Sequence, residues 1–237
     1  MQSTPIRELC LDTETTGISW KSGHRVIEIG IIELVNRQLT GNDYHVYLNP
    51  QRSVEQSAVD VHGLTDDFLS DKQAFYQIAD DLLEYLKGSV LIIHNAAFDM
   101  GFLNMEFSRL RAGGGFDLSD YCQVIDTLAM AKKKHIGQKN NLDALCKRYG
   151  VDAANRVLHG ALLDAELLSS VYLAMTRTQF ELFEKNKNGG KKPQKHSIDT
   201  SLDVKNIPVV KATPDEVELH LSFVKRYFPT PNQTKGA

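Results

Sequence analysis

Asp12 and Glu14 stand two apart in Cys10-Leu11-Asp12-Thr13-Glu14-Thr15-Thr16-Gly17, a β-prone run closed by a glycine turn. Residues two apart on a strand point to one face, so the two carboxylates would lie side by side at a strand end. Two unit charges ~4 Å apart repel by ~1 kcal/mol in water and by ~4 kcal/mol at an effective dielectric of about 20. A fold keeps such a pair where solvent covers both members or where a cation sits between them.

Three more residues extend the set. Asp99 closes the block His94-Asn95-Ala96-Ala97-Phe98-Asp99, which follows the wholly apolar run Val90-Leu91-Ile92-Ile93. Such a run is the signature of a strand buried on both faces, and strand ends in α/β sheets are where ligands are met. His159 and Asp164 belong to His159-Gly160-Ala161-Leu162-Leu163-Asp164. Five residues of ideal helix turn about 500°, so the two share no helix face. They converge only if His159 lies in the loop before a helix and Asp164 in its first turns, and Gly160 permits that break. Taken singly, each residue reads as a solvated element end; together, four acids and a histidine at element boundaries are more than packing asks for.

The elements that must position them follow from periodicity. Residues 26–35 read as a β-branched strand and residues 44–48 as a second, stopped by Asn49-Pro50. With the opening run they make an antiparallel meander of three strands. Thr65-Asp66-Asp67 carries helix-start chemistry, and Phe75, Ile78, Leu82 and Leu86 repeat at helical spacing until Lys87-Gly88. After the apolar strand, residues 98–110 read as a helix, Gly113-Gly114-Gly115 as a loop, and residues 123–126 as a strand leading into a helix near Leu128. A helix over 141–149 takes Asn140 or Asn141 as its cap. A long helix from 160 to about 185 places Leu163, Leu167, Val171 and Met175 at core spacing. The expected fold is α/β: a mixed five-stranded sheet, an antiparallel meander followed by parallel strands, flanked by helices.

The totals bound the rest. A chain of 237 residues holds one domain of fair size plus an appendage, with 42% hydrophobic and 24% charged residues, as in soluble globular proteins. A net charge of −3 rules out an overall electrostatic glove for nucleic acid, so a polyanionic substrate needs a local site, metal ions or partner subunits. No apolar run approaches the ~18 residues of a membrane span. Met1-Gln2-Ser3-Thr4-Pro5 has no signal-peptide pattern, so a cytoplasmic location is expected. Cys10, Cys122 and Cys146 are too widely spaced for a metal or disulfide framework and read as small buried residues. After Phe183 the chain turns polar and basic through about Lys195, as a flexible linker does, and apolar character returns from Ile207. Thr213-Pro214-Asp215-Glu216 starts a helix in that tail, which is too short to build its own core and is expected to fold on a partner.

Asp12-Thr13-Glu14, the block ending in Asp99, and His159 with Asp164 resemble the three motifs of the DEDDh family, the DnaQ-like 3′–5′ exonucleases of ribonuclease H-like fold. Val61-His62-Gly63, Asn141-Leu142-Asp143-Ala144-Leu145-Cys146 and Leu158-His159-Gly160-Ala161-Leu162-Leu163-Asp164-Ala165 resemble its branch of epsilon proofreading subunits of bacterial DNA polymerase III. The likeness covers about residues 7–175 well and the tail loosely. It implies that Asp12, Glu14 and Asp164 hold one divalent cation, that Asp12 bridges to a second, and that Asp99 acts on the second through water. Two ions, Mg²⁺ or Mn²⁺, would clamp the scissile phosphate, with His159 as general base for the attacking water and a 5′-nucleoside monophosphate as product. Substrate contacts would come from Asp12, Glu14, Thr15, Gly17, His62, Phe98 and Asp164, with Phe98 and the backbone at Thr15 to Gly17 taking the terminal base. Ser57 stands where relatives carry Glu, five residues before His62. His94 would orient the Asp99 loop or simply serve the structure.

The same resemblance divides the chain into an exonuclease domain at 1–178, a clamp motif at 179–183, a linker at 184–206 and a polymerase-binding tail at 207–237. Gln179-Phe180-Glu181-Leu182-Phe183 resembles the pentapeptide that docks replication proteins on the sliding clamp, with Leu182 and Phe183 filling an apolar pocket and Gln179 making polar contacts. The alternative is the frayed end of a core helix. The tail would bind the polymerase (alpha) subunit, and a small accessory subunit on the domain is left open. Lys132-Lys133-Lys134-His135 with Lys139 would follow a phosphate backbone or end a helix in solvent. A DNA 3′ terminus, single-stranded or frayed, is the expected substrate. Two other readings remain: an RNA 3′-end-trimming enzyme of the same family, and a non-catalytic tether between polymerase and clamp.

Overall fold

The computed structural model describes residues 6–154 and 158–187, with side chains through residue 177. Six strands form one sheet: β1 (Arg7–Thr15), β2 (Val26–Val35), β3 (Gln38–Leu39), β4 (Tyr44–Tyr47), β5 (Val90–Ile93) and β6 (Gln123–Asp126). Seven α-helices are described: α1 (Gln56–His62), α2 (Asp66–Leu69), α3 (Phe75–Leu86), α4 (Ala96–Arg109), α5 (Thr127–Lys134), α6 (Leu142–Tyr149) and α7 (Ala161–Lys187).

The strand order is β3-β2-β1-β5-β6, with β4 also paired to β2. β1, β2 and β4 make the antiparallel meander, and β5 and β6 extend β1 in parallel. The sheet has one strand more than the sequence suggests. Asn36 (φ 51°) and Arg37 (φ 66°) form a tight left-handed turn, and Gln38–Leu39 folds back on the end of β2. Two residues are too few to show an alternating pattern.

Alternation sends successive side chains of β1 into separate cores. Leu9 and Leu11 join Ile29, Ile31 and Ile93 under α3 and α4. Cys10 joins Ile32, Leu34 and Ile92 under α6 and α7. With both faces covered, β5 has to be apolar throughout. All three cysteines are buried and free. Thr65 and Asn141 cap α2 and α6, accepting from Phe68 N–H and Ala144 N–H. No described helix is long and apolar enough to cross a membrane. Helix α7 runs to Lys187, past residue 184 where the sequence suggests a linker. The side chains of Gln179, Leu182 and Phe183, and residues 188–237 with the proposed polymerase-binding tail, lie outside the described residues.

Candidate active site

The site exists because β1 is longer than its parallel neighbour. The last pair between β1 and β5 is Leu11 with Ile93, whereas β1 stays paired to β2 as far as Thr15. Asp12 and Glu14 therefore project past the end of β5, on a strand segment with one edge open. Helix α4 begins in that gap. Asn95 makes the turn into it in the left-handed region (φ 70°), where Asn is among the best-tolerated residues. One turn later Asp99, only 3% exposed, accepts a 2.7 Å hydrogen bond from the Thr13 hydroxyl. Burial pushes the Asp99 carboxyl up to about 7, against the Thr13 hydrogen bonds that favour its charged form.

Helix α7 supplies the other side. Gly30 on β2 pairs with Asp12, and a Cβ built there would lie 2.2 Å from the backbone nitrogen of Leu162. A residue without a side chain thus lets the first turn of α7 sit directly on the sheet beside Asp12. Asp164 is in that first turn, and His159 lies in the loop before it, its backbone N–H donating to Val61 at 3.1 Å. Nδ1 of His159 is 3.2 Å from Oδ2 of Asp164; the histidine side chain is 45% exposed and the aspartate 5%. One ligating atom each from Glu14, His159 and Asp164 all fall within 4.8 Å of one another. Asp12, Glu14, Phe98, Asp99, His159 and Asp164 line one open cleft of about 250 Å³. Carboxylates converging on an open cleft, Asp12 and Glu14 from β1, Asp99 from α4 and Asp164 from α7, fit a hard divalent cation, which takes oxygen ligands and keeps positions for water or phosphate.

The surroundings hold this arrangement in place. Glu28 stands opposite Glu14 in the β1–β2 ladder and is 3% exposed; His45 Nε2 lies 2.8 Å from its carboxylate. His94 also lines the cleft, with Nδ1 3.0 Å from the Thr127 hydroxyl, which itself donates to Ile93 O. That hydroxyl has one proton, so the His94 ring is the donor to it. Burial lowers the His94 pKa. Asp126 caps α5 and also accepts from the Asn95 backbone, tying the Asp99 loop to β6.

Three residues expected at the substrate do not line the cleft. Thr15 is buried and bonds Gly17 O at 2.8 Å. Gly17 lies against His24, whose ring leaves no room for a Cβ. His62 is 5% exposed, and its Nδ1 accepts from Leu64 N–H, so Nε2 carries the proton; that Nε2 is buried without a hydrogen-bond partner. Other contributors escaped the sequence reading. Thr13 follows Asp12 directly, and its hydroxyl was the available signal. Gly30 interrupts an otherwise β-branched strand, and an interior strand glycine is the usual sign of close backbone approach. Asn141 and Asp143 line the cleft from the start of α6. The cluster at Lys132 to His135 ends α5: Lys134 donates to Met175 O, His135 meets Tyr149, and Lys132 and Lys133 are exposed.

Comparison with known proteins places these features. A family model for exonucleases of the RNase T type matches residues 9–172. The DNA polymerase III subunit epsilon of Haemophilus influenzae is 44% identical over 233 residues, covering 93% of this chain and 90% of the relative. The Escherichia coli K12 subunit of the same name is 50% identical over 186 residues, covering 76% and 75%. Exonuclease X in complex with 5′ overhanging duplex DNA shares the fold, with a TM-score of 0.55 and 22% identity over 74% of this chain and 93% of that one.

Proposed function

This chain belongs to the RNase T exonuclease family and to the epsilon-subunit relatives within it, and from that membership we propose how it works. It is a 3′–5′ exonuclease that proofreads DNA ends for DNA polymerase III. The observation that carries the mechanism is the approach of Glu14, His159 and Asp164 to within 4.8 Å, in a cleft that Asp12 and Asp99 also line.

The family is metal-dependent. Asp12, Glu14 and Asp164 would hold one Mg²⁺ or Mn²⁺, and Asp12 with Asp99 would serve a second. When bound, such ions neutralise the scissile phosphate and stabilise the charge that develops on its oxygens. His159 takes the proton of the attacking water, since its ring is at the cleft mouth and Asp164 orients it through Nδ1. Phe98 offers its face to the terminal base, and Thr13 keeps the Asp99 carboxylate aimed into the cleft. The product is a 5′-nucleoside monophosphate.

Selectivity need not involve base readout. Unpairing a 3′ end costs a few kcal/mol and less at a mismatch, so mispaired ends reach the cleft more often. Gln179, Leu182 and Phe183 would dock on the sliding clamp, and the tail from about Ile207 on the alpha subunit; both rest on sequence likeness. Digestion of a 3′-mispaired DNA primer, with and without EDTA, beside an RNA oligomer tests the assignment. Removal of the DNA terminus that EDTA abolishes supports it. Preferential trimming of the RNA favours the RNA enzyme, and no digestion favours the tether.

A further inference from the structure

Behind the cleft, α4 carries a second feature that the hydrolytic step does not use. Phe98 and Arg109 are eleven residues apart, which is about 1100° of helix, or roughly 20° past three full turns. They therefore lie along one stripe, about 16 Å apart along the axis. Gly101 comes three residues after Phe98, about 60° to one side of that stripe. A Cβ there would lie 2.3 Å from Trp20 Nε1, so the indole rests edge-on against the helix backbone. Trp20 is 36% exposed and Ile18, two residues before it, 85%.

At the far end the stripe runs into a surface pocket shared by Arg109, Arg25 and Arg52. Arg25 donates from Nε and Nη2 to the two carboxylate oxygens of the buried Glu106. Arg52 donates to the carbonyl of Gly23 at 2.6 Å, and neither it nor Arg109 has an acidic partner among the described residues. Lys21 adds a cation beside the Trp20 ring. The nearby acids are engaged, Glu106 by Arg25 and Glu55 by His24. On a chain of net charge −3, this is a local positive surface at the end of α4 opposite Phe98, which lines the cleft.

Resting on the exonuclease reading above, we infer that Trp20, Arg52 and Arg109 form a track for the DNA strand behind its 3′ end. Trp20 stacks on a base, and the two arginines hold phosphates upstream. An exposed aromatic beside cations is how single strands are held without sequence preference, because every base has a π-face. The axial length corresponds to roughly five nucleotides at the 3.4 Å per-strand spacing of a duplex. The track gives the enzyme a preference for ends that continue into a strand over dinucleotides that fill only the cleft.

Trp20 is the sole tryptophan of the chain, so its emission reports on the track directly. The full-length protein in EDTA is titrated with an oligothymidylate of eight residues and with a dinucleotide, while a labelled octamer gives binding by anisotropy. The octamer is expected to quench Trp20, and the dinucleotide is not. Trp20→Ala and Arg109→Gln should each weaken octamer binding about five- to tenfold, with Trp20→Phe in between, and Arg109→Gln should lower the salt slope by about one. With metal restored, the advantage in KM of octamer over dinucleotide should largely disappear in Arg109→Gln. A silent Trp20 at saturating octamer, or octamer binding unaltered in both variants, overturns the track even if the wild type digests mispaired primers normally. Failure of that digestion overturns instead the functional reading.

Discussion

Gly30 of β2 and Leu162 of α7 meet backbone to backbone: a Cβ on the glycine would stand 2.2 Å from the Leu162 nitrogen. The ladder pairs Gly30 with Asp12, so this contact sets how closely Asp164 approaches the β1 acids. Gly30→Ala must push the first turn of α7 outward. Overpacking of this kind costs about 1–3 kcal/mol, a Tm lower by roughly 3–10 °C in a domain of this size. The displacement at the site should cost about 100-fold in turnover. Calorimetry and single-turnover kinetics on one preparation check both. A normal rate would show that α7 need not sit so close.

The imidazole of His159 is half exposed and bound to Asp164, a geometry for proton transfer. His159→Ala should lower the single-turnover rate by about 10²- to 10⁴-fold, the usual worth of a general base, while the protein still binds a 3′-mispaired primer. The check is rapid-quench cleavage alongside primer binding in Ca²⁺. An undiminished rate would remove His159 from the chemistry.

Asp99 gives a stability test. Its folded pKa is raised to about 7 from 3.8 by burial. A raised carboxyl costs nothing below its unfolded pKa and costs most above its folded one, so the penalty grows between about pH 4 and pH 7. Asp99→Asn keeps an acceptor for Thr13 and removes the charge. In EDTA it should raise Tm at pH 8 and do much less at pH 4.5, while abolishing most nuclease activity. Denaturation scans across that range decide it; a gain that is flat with pH would mean that the carboxylate carries no burial penalty.

His62 acts in the opposite sense. Burial holds its imidazole below the ordinary value, against the opposing pull of the Glu28 carboxylate. The unfolded chain then binds the proton first as pH falls through about 6.5, and stability declines from there. His94, also lowered by burial, adds to the same decline. His62→Gln should flatten the loss of stability between pH 7 and pH 5 relative to wild type, as read by urea midpoints. Parallel curves would assign the acid sensitivity elsewhere.

Much of this site could be seen in the residues because it stands at boundaries. Asp12 and Glu14 alternate on a strand, Gly160 breaks the chain between His159 and Asp164, and the apolar run at β5 announces the strand end where Asp99 follows. What stayed hidden was tertiary. Helix α1 has no side-chain cap at Glu55, so nothing marks its start. β3 is too short for alternation. The meaning of Gly30 depends on a helix more than a hundred residues away, and that of Thr13 on Asp99, 86 residues on.

One measurement bears most directly on the convergence of these acids: single-turnover release of a 3′-mispaired nucleotide by wild type, Asp12→Asn, Glu14→Gln and Asp164→Asn, each with Mg²⁺ and with EDTA. Rapid release by wild type that needs the metal, and loss of at least about 100-fold in each variant, is the predicted result. Release that survives EDTA, or that any one of the three variants performs at the wild-type rate, would contradict a cation-holding cleft.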